Sequence, residues 1–473
     1  MVKHDDYQVI VAGAGPAGLL LAKRLGEQGV SVAVYEPREE TALGHDWSDA
    51  VEKSALAAAG FEIPEVVDGR YSGKLVKSSE EDDNLFEPHR IHPLQIRSPD
   101  LSCIVPGGVA FRYITTDRKA LSRMLAEKAV EAGARIFYRH RVDRLLGENM
   151  DGPIENVRIN GATVTDLDKQ VSFDAHATVT VDATGIASTL RAGLPGAPEI
   201  SGKFSDSDLA YAWRTVRRLD ARRAESDDIV DHYRYGAYKG YFWTHRHHED
   251  SIDVGGGVSE GQGRVDPRRV VEEMIAVRPS ITPEVIRGGG GAVLVGKSPF
   301  SLVASGFMCV GDAAGQVVPT TGCGTGSAMT SALLAAGVIS AALEKQDAAM
   351  KAMWPYNYVW FSGRGSHFAA LSALTAVLRK FTHEDISFLM KKGIMNTQLL
   401  TPAINGVFET PGARDMLTSA ASGIKRPGLL LKLNKATTTG KKIFRHYRNY
   451  PLKWDPAEFY GWTAKTRKLF GKL

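Results

Sequence analysis

The sequence predicts an α/β protein built on a parallel sheet, with a helical region towards the C-terminus. Three observations carry this. Strand, glycine turn, helix and second strand follow one another inside the first forty residues. Two later stretches, "ATVTVDATG" and "FMCVGDAAG", repeat the pattern of an apolar strand running into a glycine turn. Beyond Gly337 the chain turns rich in aromatic and apolar residues and reads as helices. At 473 residues it is too long for one ordinary domain, and 43% hydrophobic with 24% charged residues describes a soluble globular chain.

The first element is "YQVIVAGAGPAGLLLAKRLGEQGVSVAVYE". Tyr7 to Ala12 forms a strand, a helix follows from about Pro16 to Gln28, and a second strand ends on Glu36. The glycines stand at GxGxxG spacing. Gly13 permits the tight turn, Gly15 lets backbone approach a pyrophosphate, and Gly18 lets helix and strand pack closely. The helix N-terminus offers free N–H groups to phosphate oxygens. Glu36 follows the third glycine by 18 residues and can accept hydrogen bonds from ribose hydroxyls. Gly13, Gly15, Ala17, Gly18 and Glu36 are therefore candidate contacts of a bound dinucleotide.

The second element runs "TTDRKALSRMLAEKAVEAGARIFYRHRV", an amphipathic helix and a strand. In the third, a strand from Phe307 to Val310 precedes Gly311 and Asp312, an acid placed to hold a chain of hydroxyls. "TGCGTG" behind it opens another helix, a second seat for anionic oxygen or an electron-rich ring edge.

Taken in order, GAGPAG, DRxxLxxxLxxxAxxxGA, DATGxxSxxR and GDAAGxxxPxxGxG resemble the flavoproteins related to para-hydroxybenzoate hydroxylase, and within them the geranylgeranyl reductase family. The resemblance spans residues 7 to 345. It implies a Rossmann-type FAD-binding domain with an inserted antiparallel β-sheet substrate domain. It places Arg118 near the flavin's phosphate and ribityl region, Gly311 and Asp312 on the ribityl chain, and Gly322 and Gly324 against the isoalloxazine. On this basis residues 1–60, 103–194 and 291–345 would form the FAD domain, 61–102 and 195–290 the substrate domain, and 346–473 the helical region. The implied activity is saturation of C=C bonds in a polyprenyl chain on a lipid, quinone or pigment precursor, with electrons from ferredoxin or NAD(P)H. Two alternatives on the same scaffold are a flavin-dependent monooxygenase or halogenase, and an electron-transfer flavoprotein serving a membrane quinone. The sequence departs from the family in two places. The near-flavin Cys-Gly is replaced by "LGHDWSDAVE", and the YxWxFP-like motif becomes "YFWTHR".

Those departures set the candidate catalytic groups. His45 and Asp46 stand where the family places its near-flavin residues, and a histidine there can donate a proton. In "YKGYFWTHRHHED" strand alternation puts Tyr241 and Trp243 on one face with His245 and His247, where the rings could line a slot for an apolar chain. The three histidines and the following acids read first as a structural turn, then as a substrate contact, and last as a metal site; no metal ligand is assigned. Cys323, in the flavin-facing loop, is a redox thiol or a small filler.

The remaining signals concern environment. Three cysteines, none in a CxxC pair, exclude a disulfide framework and point to a reducing compartment. The start carries no signal peptide, so a cytoplasmic location is expected, extending to the inner face of the cell membrane. "SAMTSALLAAGVISAAL" reads as a buried helix. "THED" at Thr382 reads as a helix N-cap, and "VKSSEEDDNLFEPH" as an exposed loop. The net charge of +4 hides an asymmetry. Residues 421–473 hold thirteen Lys or Arg against Asp455 and Glu458, a net of +11, so the first 420 residues sum to −7. Aromatic rings are interleaved with these cations, among them Trp454, Trp462 and Phe470. The pattern has two readings, a face for anionic membrane lipid or a packed extension. Nucleic acid is not expected as a partner.

Overall fold

The computed structural model describes residues 7–67, 70–72, 85–86, 95–106, 112–202, 204–220, 230–248, 250–259, 265–409 and 426–472. The expected loop at residues 76–89 therefore lies almost wholly outside the described residues, as do the side chains of His247 and His248 and the whole of Glu249.

The N-terminal strand Val9–Ala12 is the middle of a six-stranded sheet. It pairs in parallel with Val32–Glu36 on one side and Val179–Asp182 on the other. Arg135–Tyr138 and Phe307–Cys309 extend the sheet outward in the same sense, and Val303–Ala304 closes one edge antiparallel. Parallel strands covered on both faces need continuous apolar runs, and "VIVA" and "VAVYE" are buried throughout. The crossover helix Pro16–Gly26 packs against Arg118–Glu131 and Thr325–Glu344. The last of these is apolar and long enough to cross a bilayer, yet its Ala- and Ser-rich faces are packed inside the protein, as the composition suggested. The strand expected after Gly133 is broken at Arg139, whose φ of 59° turns the chain. From there His140–Glu148, Arg158–Asp166 and Val171–His176 form a separate antiparallel meander.

The inserted sheet has seven strands in the order Ile281–Leu294, Leu209–Leu219, Ser251–Ser259, Tyr238–His248, Val230–Tyr235, Gln95–Arg97 and Ile104–Pro106. Its outer strands overrun the boundaries expected at 102 and 290. The helix Pro267–Ala276 covers one face, where Val270, Val271 and Met274 pack on Phe242, Ile252 and Val254. "THED" is a capping box as expected, with Thr382 Oγ1 accepting from Asp385 N at 3.2 Å.

The C-terminal segment follows the packed-extension reading for its rings. Its aromatic rings face protein. Tyr450 stacks on Trp354 and Phe361, with centroids 5.4 and 4.8 Å apart, and Trp462 lies 4.7 Å from Tyr450. Trp454 packs 4.8 Å from Trp354, while Phe470 is half-buried beside Lys297. Trp354 Nε1 donates to Pro451 O at 2.9 Å, and Tyr450 Oη donates to Phe300 O at 2.9 Å. The helices Pro427–Arg448 and Pro456–Phe470 thus turn rings inward and cations outward, an amphipathic division that resembles an interfacial signal in the bare sequence.

Two measurements follow. Trp462 is 6% exposed, so Trp462→Ala is expected to cost about 3–5 kcal/mol, read as a lower denaturant midpoint. Burial holds the His446 imidazole down to about 4 from 6.5. Between those values the unfolded chain takes up a proton that the folded chain refuses. Stability should therefore fall as pH drops through this window, and His446→Gln should flatten the fall in a thermal-melt series.

Candidate active site

One cavity of about 870 Å³ runs between the parallel sheet and the inserted sheet. Its first part is the glycine cradle. Gly13 has φ 104°, and a Cβ there would lie 2.6 Å from Ala183 O, so only glycine fits. A Cβ at Gly18 would meet Gly13 O at 2.1 Å, the close helix–strand approach expected from the spacing. A Cβ at Gly15 would meet no protein atom within 4 Å; what that glycine keeps clear is cavity space. Gly15 caps the helix without a side-chain hydrogen bond, so the first N–H groups stay available to a ligand. Glu36 is buried and ties the cradle together. Its Oε2 accepts from Ala14 N at 2.8 Å, and its Oε1 accepts from Arg38 Nε at 2.7 Å. Ala17 and Arg38 line the same wall. This is the donor and space pattern that a dinucleotide needs.

The middle of the cavity joins Arg118, Gly311, Asp312, Gly322 and Gly324. Gly311 and Gly322 both have positive φ, and Gly311 N donates to Gln316 Oε1 at 2.7 Å. Burial pushes the Asp312 carboxyl up, with Arg118 opposing it. Cys323 opens onto this part of the cavity, and Tyr113 faces it. Burial raises the Tyr113 phenol far above its ordinary range.

The inserted sheet supplies the last part. Lys239, Tyr241, Trp243 and His245 line the cavity, while Phe242 and Thr244 are buried on the opposite face. The alternation expected of this stretch is present, but the expected turn at the histidines is not: Tyr238–His248 is one continuous strand, and His245 belongs to the cavity wall. Room for the indole rings is made by missing side chains. A Cβ at Gly255 would fall 2.2 Å from Trp243, and one at Gly289 would fall 2.6 Å from Trp47.

A chain of charges connects these parts. Arg118 Nη1 donates to Asp49 Oδ2 at 2.5 Å, and Arg214 Nη1 donates to Asp49 Oδ1 at 2.7 Å. Arg214 also pairs with Asp253, which is fully buried and accepts from Trp243 Nε1 at 3.2 Å. Arg118 and Arg214 hold the Asp49 carboxyl below its ordinary range against the opposing effect of burial. Sequence reading found Arg118 and Trp243 but missed Asp49, Arg214 and Asp253. An arginine inside "LAYAWRTVRRL" and an acid inside "SIDVGGG" were the available signals.

Of His45 and Asp46, one lines the cavity. His45 lines the cavity and stacks on Trp47, with centroids 4.3 Å apart and planes 8° from parallel. Burial first, and Arg118 second, push its pKa down to about 4. The ring is therefore neutral at neutral pH. Asp46 is exposed and does not line the cavity, because the turn aims it outward between His45 and Trp47.

Comparison with known proteins places this geometry. A lycopene cyclase protein family model matches residues 8–236. The digeranylgeranylglycerophospholipid reductase of Sulfolobus acidocaldarius is 25% identical over 472 residues, covering 98% of this chain and 96% of the relative. The chain is related to the geranylgeranyl reductases. A solved geranylgeranyl bacteriochlorophyll reductase-like protein from Thermoplasma acidophilum shares the fold, with a TM-score of 0.67 at 20% identity over 91% of this chain and 99% of that one. A myxobacterial chondrochloren halogenase, described as FAD-dependent, overlays at a TM-score of 0.58 and 18% identity, covering 88% and 97% of the two chains. The reductase-like likeness and the halogenase likeness both concern the fold, that of flavin-dependent oxidoreductases. The full-length match to the Sulfolobus reductase extends through the C-terminal helices.

The charge chain makes a measurable claim. Asp253→Ala leaves Arg214 without one of its two carboxylates inside the protein, and is expected to destabilise by about 3–5 kcal/mol in denaturant titration. Asp46→Ala, at an exposed position outside the cavity, is expected to stay within about 0.5 kcal/mol of the parent.

Proposed function

We propose that this chain is an FAD-dependent reductase that saturates carbon–carbon double bonds of a polyprenyl chain carried on a lipid, quinone or pigment precursor. The observation that carries the reading is the continuity of one cavity from the cradle at Gly13 and Gly15 to the aromatic wall of Tyr241 and Trp243. The Sulfolobus relative, a digeranylgeranylglycerophospholipid reductase matched along 98% of this chain, supports it.

FAD held in this cradle would supply the hydride that one alkene carbon needs. The chain's own residues do the rest. Gly15 and the helix N-terminus receive the pyrophosphate, and Glu36 takes ribose hydroxyls while it clamps the turn. Asp312, on the cavity wall, would hold the hydroxyls of the ribityl chain. Arg118 sets the charge there and is itself held by Asp49. Tyr241 and Trp243 give the alkene a flat apolar wall and keep water from it. The indole of Trp243 cannot swing freely, because its N–H is bonded to Asp253. Tyr113 places its phenolic hydroxyl on the cavity wall, where it could pass a proton to the second alkene carbon. His45 contributes its stacking on Trp47 and keeps its place on the cavity wall. Electrons come from an external donor, a ferredoxin or a nicotinamide nucleotide.

The purified protein is expected to carry non-covalent FAD, and Glu36→Ala to weaken its retention by about 1–3 kcal/mol. Anaerobic photoreduction followed by mixing with prenyl lipids tests the reaction. Reoxidation by the lipid alkene without oxygen is expected. Reoxidation that requires oxygen would move the chain to the monooxygenases or halogenases. Trp243→Ala should slow turnover of long prenyl chains by about tenfold or more while FAD stays bound, a loss of about 1.4 kcal/mol in transition-state stabilisation.

A further inference from the structure

The helix Pro427–Arg448 has an outer face that the site does not use. Its inner residues Leu429, Ala436, Gly440, Ile443 and Tyr447 are buried. On the opposite side Leu431, Lys435, Thr438, Lys442 and Arg445 recur at spacings of four and three, so they form one stripe, and all five are exposed. Lys432 and Lys441 flank it, also exposed. Leu431 is 69% exposed, and Leu452 just beyond the helix is 60% exposed. The chain therefore presents cations with large apolar side chains standing among them.

The place of this stripe in the fold is fixed by what lies beneath it. Leu429 clusters with Leu378 and Phe381, and Phe444 packs 4.8 Å from His367. The helix therefore runs antiparallel to Arg364–Leu378, with its first turns beside the last turn of that helix. Thr375 and Arg379, in and just after that turn, line the cavity. The first turns of the helix that carries the stripe thus lie over the turn of Arg364–Leu378 that lines the cavity.

Charge settles the orientation in which this face meets a negative surface. Residues 421–473 carry a net +11 and the remaining 420 residues a net −7. An anionic plane attracts the exposed cations of this helix face more than the rest of the chain, which favours one orientation as well as binding.

We propose that the outer face of Pro427–Arg448 docks the protein on an anionic membrane surface, with the cavity end lined by Thr375 and Arg379 turned towards the bilayer. Among polyanions, a membrane is the one whose interface accepts both the cations and the exposed leucines. The inference goes beyond the reaction proposed above, since binding is read without turnover.

The test uses the full-length holoprotein and vesicles of straight-chain lipid, which offer no prenyl chain to the cavity. Co-sedimentation is expected with vesicles of phosphatidylcholine and phosphatidylglycerol and not with phosphatidylcholine alone. The combined variant Lys435→Glu, Lys442→Glu and Arg445→Glu is expected to bind about tenfold or more weakly at an unchanged thermal midpoint. Leu431→Ser should weaken the part of the binding that survives raised salt. Undiminished pelleting of the charge-reversed protein would overturn the proposal. So would binding that ignores Leu431→Ser and vanishes entirely with salt, because that result assigns the face to a soluble polyanion.

Discussion

The relation between the two sheets depends on Asp49. A carboxylate between Arg118 and Arg214 belongs to neither sheet, yet it joins the arginine in the middle of the cavity to the arginine that pairs with Asp253, the acid bonded to Trp243. A pair of buried cations so close would repel without it. With it, each guanidinium has its partner, and the desolvation cost of three charges is offset by mutual attraction at short range. Shape alone would let the inserted sheet slide on the parallel one. The fixed fork geometry of the two arginines does not, so the distance from cradle to aromatic wall is held to the length of this chain of charges.

Beside the charges, the site is shaped by absences. The parallel sheet ends in turns that tolerate no side chain, and the inserted sheet carries glycines opposite each indole. Trp243 over Gly255 and Trp47 over Gly289 lie flat because their neighbours are bare backbone. The cavity wall is thus rigid in two ways, rings pressed on strands and rings hydrogen-bonded to buried acid. His45 extends the same surface by stacking on Trp47. A wall built this way suits a long apolar substrate, which offers little to hydrogen-bond and must be held by contact area.

Where the sequence was legible, local chemistry decided the outcome. The stretch from Tyr7 to Glu36 is readable because each glycine has a backbone reason and each strand is buried on both faces. The face assignment of Tyr241 and Trp243 was readable because strands alternate. Asp49, Arg214 and Asp253 were not, since they lie far apart in the chain and only the docking of two sheets brings them together. The break at Arg139 was hidden because a left-handed arginine leaves no local signature. The C-terminal segment left two readings open for a different reason. Rings inside and cations outside is the pattern of an amphipathic helix on a protein core and also of one on lipid; tertiary partners such as Trp354 and Phe361 decide between them.

Those partners also give the chain's end a part in the order of assembly. Phe300 and Trp354 belong to the region around the parallel sheet, but Tyr450 and Trp462 complete their shell. During synthesis the ribosome still holds residues 450–462 when every strand of both sheets has already emerged. The aromatic surface around Trp354 must then wait, open to solvent, until the last helix is released. A chain cut before Tyr450 would keep every strand of both sheets and the whole glycine cradle, and would leave the aromatic surface around Trp354 unsealed.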